Sequence, residues 1–186
     1  MTADEFVPWA MARAEGEPRH ELNNGEVVAM APERAIHNRV KLEVVVRLRD
    51  AIRARGLACE AFTDGMAIRV DDARVFEPDA PMRRGPPLPP DAVVSDDPLL
   101  VVEVSSPSTT RVDLRTKFAL CFRLPSLRHY PMVGASDRVV VHHERTEAGE
   151  GGAATELRSR ILPPEGTLRL DPPGIELDLA RLFGLG

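Results

Sequence analysis

Apolar residues at Ile36, Val40, Val44, Val45, Leu48 and Ile52 recur every three or four positions, the repeat of one helical face, and Gly56 supplies a C-terminal stop. That spacing predicts a helix over 34–55. Its other positions hold Arg39, Arg47, Arg49, Arg53 and Arg55 with Asp50 among few acids, a face that is either simply solvated or turned to phosphate or a partner. A second helical repeat, Leu114, Phe118, Cys121 and Phe122, predicts a helix over 112–124 with Pro125 beyond its end. Near the N-terminus Phe6, Trp9, Ala10 and Arg13 are more loosely spaced, so 1–20 is expected to form a short helix or arm closed by Gly16 and Pro18.

Between these helices the pattern changes to that of strands. Asn23-Asn24-Gly25 is a turn signal, and the β-prone run after it predicts a hairpin. Runs at 57–62, 66–70 and 75–79 are strand-like, with Asp71-Asp72 turning the second into the third. The proline-rich stretch 83–98 predicts a long loop with a short strand piece at Val93 and Val94. LLVVEV at 99–104 is apolar except for Glu103, as expected of a central strand buried on both faces. Strands are expected at 128–133 and 138–143, weaker ones at 155–161 and Thr167–Leu170, and a last helical turn at 177–183. Pro131 removes a ladder donor from the first of these, which suggests an edge or a bulge. From position 34 the order is helix, hairpin, central strand, helix, strand: an α/β chain with extra N- and C-terminal β-strands.

A chain of 186 residues is the size of one domain, with 1–20 as its arm and 145–186 as a β extension. Hydrophobic residues at 43% suffice for a packed core, and a net charge of -5 argues against a surface given wholly to phosphate backbones. Two cysteines, Cys59 and Cys121, with no CxxC pair fit a reducing, cytoplasmic setting. No run approaches the ~18 apolar residues of a membrane span.

Chemistry enters with Glu103, because an ionised carboxylate in a buried strand needs a cation, a metal or dense donors. Asp79 follows Pro78 at what looks like a strand end. Were the two strands neighbours, the carboxylates would repel by about 4 kcal/mol at 4 Å, and a divalent cation with oxygen ligands would remove the conflict. Lys117 flanks the apolar face of the second helix, where its ammonium either steadies negative charge or snorkels to the surface. Ser106, Ser108, Thr109 and Thr110 stand at that helix's entrance, whose free amides attract anions. His142 and His143 point to opposite faces of one strand and cannot share a metal.

GEVVAMAP (25–32), FEPD (76–79), LLVVEVSSPSTTRVDLRTKF (99–118) and FRLPSLRHY (122–130) resemble the Uma-type family of restriction endonucleases, long classed as a domain of unknown function. The likeness runs over about residues 20–145 and implies the restriction-endonuclease-like, PD-(D/E)XK, fold. It makes Asp79 and Glu103 the acids that bind Mg²⁺ or Mn²⁺. Ser105 stands where the superfamily usually has a lysine, and the resemblance assigns the catalytic cation to Lys117 instead. Glu26 and His37 match polar family positions near the site. On a helical wheel His37 also lies at the centre of the apolar face, with Glu43 at its margin; a core histidine with one hydrogen bond is the plainer alternative. Cys121, Pro131 and Gly134-Ala135 depart from the family's usual residues without touching Asp79, Glu103 or Lys117. The resemblance thus implies a metal-dependent endonuclease acting on nucleic acid, DNA in the first instance, expected as a homodimer. A non-catalytic interaction module and a hydrolase of small phosphorylated molecules are the alternatives.

Overall fold

Thr2 caps the first helix, α1 (Ala3–Met11): its hydroxyl accepts the Glu5 N–H while the Glu5 carboxylate accepts the Thr2 N–H. Ala3 and Phe6 then bury against Leu22 and Val75, so this part of the expected arm is packed onto the body. The computed structural model describes residues 1–13, 16–105, 111–146 and 156–184, and for 111–115 the backbone alone. The predicted hairpin is formed by β1 (His20–Asn23) and β2 (Glu26–Ala29), turning through Asn24 and Gly25 at φ of 54° and 81°. Next comes α2 (Ala35–Arg55), stopped by Gly56 in the left-handed region. Its buried stripe is His37, Val40, Lys41, Val44, Val45, Leu48 and Ile52; Ile36, expected on that stripe, is exposed instead.

After β3 (Cys59–Ala61), the strands β4 (Ala67–Asp71) and β5 (Arg74–Phe76) form the hairpin expected around Asp71-Asp72. The run 75–79 does not stay one strand. β5 stops at Phe76, and the chain crosses through Glu77-Pro78-Asp79 into β6 (Ala80–Arg84), which belongs to a different sheet. Pro78 has no N–H to continue the ladder, which suits it to this crossing. The remaining elements are β7 (Val94–Ser95), β8 (Pro98–Ser105), α3 (Arg111–Cys121), β9 (His129–Gly134), β10 (Val140–Thr146) and β11 (Glu156–Leu162). A hairpin of β12 (Thr167–Leu170) and β13 (Ile175–Asp178) leads into α4 (Leu179–Leu182), capped by the Asp178 carboxylate.

The main sheet has the order β11-β10-β9-β8-β6-β3, and a second sheet the order β2-β1-β5-β4-β7. β8 is therefore central, antiparallel to β6 and parallel to β9. Pro131 lies on interior β9, not at an edge, opposite His142 of β10. The cost falls on the β8 side, where pairing is at Leu100 with His129 and resumes only at Glu103 with Met132.

Period-two alternation sorts β8 between two cores. Leu100, Val102 and Val104 pack with Val44 and Leu48 of α2 and with the C-terminal hairpin. Val101 packs on the opposite face with Cys121, Phe122 and Tyr130. Truncating a side chain buried as fully as Leu48 costs about 2–5 kcal/mol, so this clamp is a major part of the fold's stability. By the same alternation Glu103 shares the face of Val101, toward α3.

Candidate metal centre

Two neighbouring strands and two helices from opposite sides assemble the site. Asp79 stands just before β6, whose Ala80 pairs with Val102 of β8, and its Oδ2 accepts the Val104 N–H at 2.6 Å. From α2, His37 places Nε2 3.3 Å from Asp79 Oδ2, and one turn on Lys41 places Nζ 3.2 Å from Asp79 Oδ1. On the other face of β8, Lys117 from α3 lies with Nζ 2.9 Å from Glu103 Oε1 and 2.7 Å from Glu21 Oε1 of β1. Its ammonium also sits 5.4 Å from the centre of the Phe76 ring, a cation–π contact. Asp79 thus meets His37 and Lys41 on the α2 side of β8, and Glu103 meets Lys117 on the α3 side, each carboxylate with cations of its own. The repulsion expected between Asp79 and Glu103 is met by protein cations already in place.

Protonation follows from these contacts. Burial pushes the Glu103 carboxyl up to about 7, with Lys117 pulling it down and Asp79 and Glu21 adding to the rise. Burial works against the Lys117 ammonium, yet Glu103 and Glu21 outweigh it and hold its pKa above the ordinary lysine value. Burial likewise opposes the Asp79 carboxylate, but bonds from His37 and the Val104 N–H, with the Lys41 charge, leave its pKa below the usual range. For His37, burial favours the neutral ring, and Asp79 and Glu33 overcome it, raising its pKa.

Glu26 does not join this group. It is exposed at the turn end of the β1–β2 hairpin, opposite Asn23, beside the Gly25–Ala73 link. The acid that reaches the site from that hairpin is Glu21, whose Oε1 also accepts the Glu77 N–H at 2.8 Å. Sequence reasoning also passed over Lys41, which binds Glu33 and Asp64 at 2.8 Å each and completes a chain to Arg19. One signal for it was available: Lys41 occupies an apolar-stripe position four residues after His37. Ser106, Ser108, Thr109 and Thr110 lie outside the described residues, as does the side chain of Leu114. His142 turns to His129, with Nε2 and Nδ1 3.0 Å apart, and His143 turns to Ser159 on β11, so the two do take different partners.

The donors suit a divalent cation. Asp79 and Glu103 offer hard carboxylate oxygens from adjoining strands, the ligand type of Mg²⁺ and Mn²⁺. Among the described residues, Glu33, His37 and Asp79 also converge, with one donor atom of each within 4.8 Å of the others. A cleft of about 480 Å³ bordered by Arg19, Pro32, Glu33, Asn38 and Asp64 opens beside them.

Comparison with known proteins agrees with this architecture. The sequence signature of the Uma2 family, described as "Putative restriction endonuclease", matches residues 3–180. A solved structure from Anabaena variabilis, described as a "putative nuclease", superposes with a TM-score of 0.76 over 100% of this chain and 98% of that one. Their sequences are 15% identical, so the likeness is one of fold: the restriction-endonuclease-like α/β arrangement. No curated protein sequence matches the chain.

Proposed function

Because the chain belongs to the Uma2 restriction-endonuclease family, we propose that it is a metal-dependent endonuclease hydrolysing phosphodiester bonds of nucleic acid, DNA in the first instance. The observation that carries this reading is the pair of buried carboxylates, Asp79 and Glu103, with Asp79 bonded to the backbone N–H of Val104, the residue after Glu103. A bound Mg²⁺ or Mn²⁺ would supply a water of lowered pKa and a counter-charge for the scissile phosphate. Asp79 and Glu103 hold that cation. The Val104 N–H, His37 and Lys41 fix the Asp79 carboxylate in one orientation. Lys117, hydrogen-bonded to Glu21 and ion-paired with Glu103, would steady a phosphate oxygen gaining charge. Glu26, from its exposed position, serves at most in substrate contact.

One observation favours a second reading, a non-catalytic interaction module: both acids already carry protein cations, so the site is charge-matched as it stands. The decisive experiment incubates supercoiled, linear and single-stranded substrates with and without Mg²⁺ or Mn²⁺. Metal-dependent cleavage that disappears in Asp79→Asn and Glu103→Gln supports the enzyme; no cleavage of any substrate replaces it with the module. We further propose a cytoplasmic homodimer, two-fold symmetric dimers being the commonest soluble oligomers. Light scattering should then return about twice 20.4 kDa, and a mass near 20.4 kDa refutes the dimer.

A further inference from the structure

We propose that Glu33, His37 and Asp79 form a three-donor site for a transition-metal dication of the zinc type, which it takes in preference to magnesium. The inference rests on the nuclease reading and adds to it a second cation position, beside the Asp79–Glu103 pair and sharing Asp79 with it.

Lys41 Nζ binds both oxygens of Glu33, Oε1 at 3.0 Å and Oε2 at 2.8 Å, and Asp79 Oδ1 at 3.2 Å. Glu33 Oε1 and Asp79 Oδ2 also lie 3.8 Å and 3.3 Å from His37 Nε2. Those two separations bracket the ~3.4 Å edge of a tetrahedron with ~2.1 Å bonds, and all three donor atoms lie within 4.8 Å of one another, a spread that one ion could draw together. The supporting groups are also present. Lys41, itself held by Asp64, fixes both carboxylates from behind, and the Val104 N–H fixes Asp79 from the strand.

Charge and access fit as well. Glu33, Asp64 and Asp79 face Lys41, Arg19 and an imidazole, so a dication meets net negative charge. Glu33 lines the open cleft, which gives a hydrated ion its path inward. Ligand chemistry then sets the preference: an imidazole nitrogen suits zinc and its transition-metal neighbours, whereas Mg²⁺ favours oxygen alone and sheds water reluctantly.

Cobalt(II) is the probe, because its visible absorption reports a nitrogen-containing, low-coordinate site directly. The metal-free protein titrated with Co²⁺ should develop that absorption, and Zn²⁺ should displace the cobalt while a hundredfold excess of Mg²⁺ does not. Glu33→Gln and His37→Gln should each weaken Co²⁺ affinity at least tenfold, while Glu43→Gln, an acid at the helix margin bound to Arg47, should not. Circular dichroism of each variant checks the fold, and the partly exposed Glu33 provides a variant that does not disturb the core. Unchanged cobalt affinity in folded Glu33→Gln and His37→Gln overturns the inference. Loss only in Glu103→Gln and Asp79→Asn also overturns it, by placing the ion between those two acids. Cleavage is a separate readout: cobalt bound as described without cleavage of any nucleic acid refutes the nuclease reading and supports this one.

Discussion

Replacing Lys117 with Met keeps an apolar stem of similar length and removes the charge between Glu103 and Glu21, which isolates what that ammonium does. In the wild type, burial raises Glu103 from 4.5 to about 7. The neutral carboxyl is therefore the form the fold prefers: the stability it contributes is complete below the unfolded value and is lost as pH rises through about 7, in all about 3 kcal/mol at 1.36 kcal/mol per pKa unit. Without Lys117 the folded-state pKa climbs further, and at about pH 8 the side chain stays protonated. Protonation caps the extra cost at roughly 1.4 kcal/mol for each pH step beyond the wild-type pKa, so about 1.4 kcal/mol at pH 8. At about pH 5 Glu103 is neutral in both folded proteins, and this pH-dependent share vanishes. A further pH-independent loss comes from Glu21, and the total stays within the about 3–5 kcal/mol seen when one partner of a buried pair is removed. Thermal denaturation in chelator should thus show Lys117→Met losing roughly 3–6 °C more at pH 8 than at pH 5, for a domain of this size. Adding Glu103→Gln should abolish the difference between the two pH values. An equal loss at both would refute the argument, since it would mean that Glu103 does not titrate against Lys117.

His37 provides a pH dependence in its own right. Its pKa is raised in the fold, so its pairing with Asp79 is complete below about 6.5, the ordinary histidine value, and fades as pH rises through the folded-state value. In chelator, His37→Gln should therefore destabilise more at about pH 6 than at about pH 8.5, by urea denaturation, and the reverse order would contradict it. On the outer face of α2, Arg47→Glu with Arg53→Glu should weaken nucleic-acid binding and flatten its salt dependence with little change in melting temperature. Unchanged binding in a filter or anisotropy assay returns that face to plain solvation.

What was legible in the sequence was what local periodicity encodes. The stripe from Val40 to Ile52 announces α2, and a single carboxylate in LLVVEV announces a residue in need of a partner. The β6 strand was harder to see, because Ala80–Arg84 contains a proline and two arginines and reads as a loop. Its Arg83 is buried by pairing with Asp97, a contact across 14 positions that no local pattern contains. Asp79 and its partner His37 were both named from the sequence, but Lys41, the other cation on Asp79, and the acids Glu33 and Asp64 that hold Lys41 were not; they come from a helix, the residue before its cap and a turn. Glu21 was missed for a related reason. The hairpin was predicted, but which of its acids faced the site depended on how β1 pairs with β5, through Leu22 and Val75.

The short bond from the Val104 N–H to Asp79 Oδ2 has a practical consequence for spectroscopy. Most amides in a strand donate to a carbonyl whose electron density hardly varies. This one donates to a group whose charge and partners are the very things in question. Its proton and nitrogen resonances should therefore move when Asp79 gains a proton or an ion, while those of Val102, two residues back on β8, stay still. The backbone carries an indicator at the centre of the site, needing only uniform nitrogen labelling.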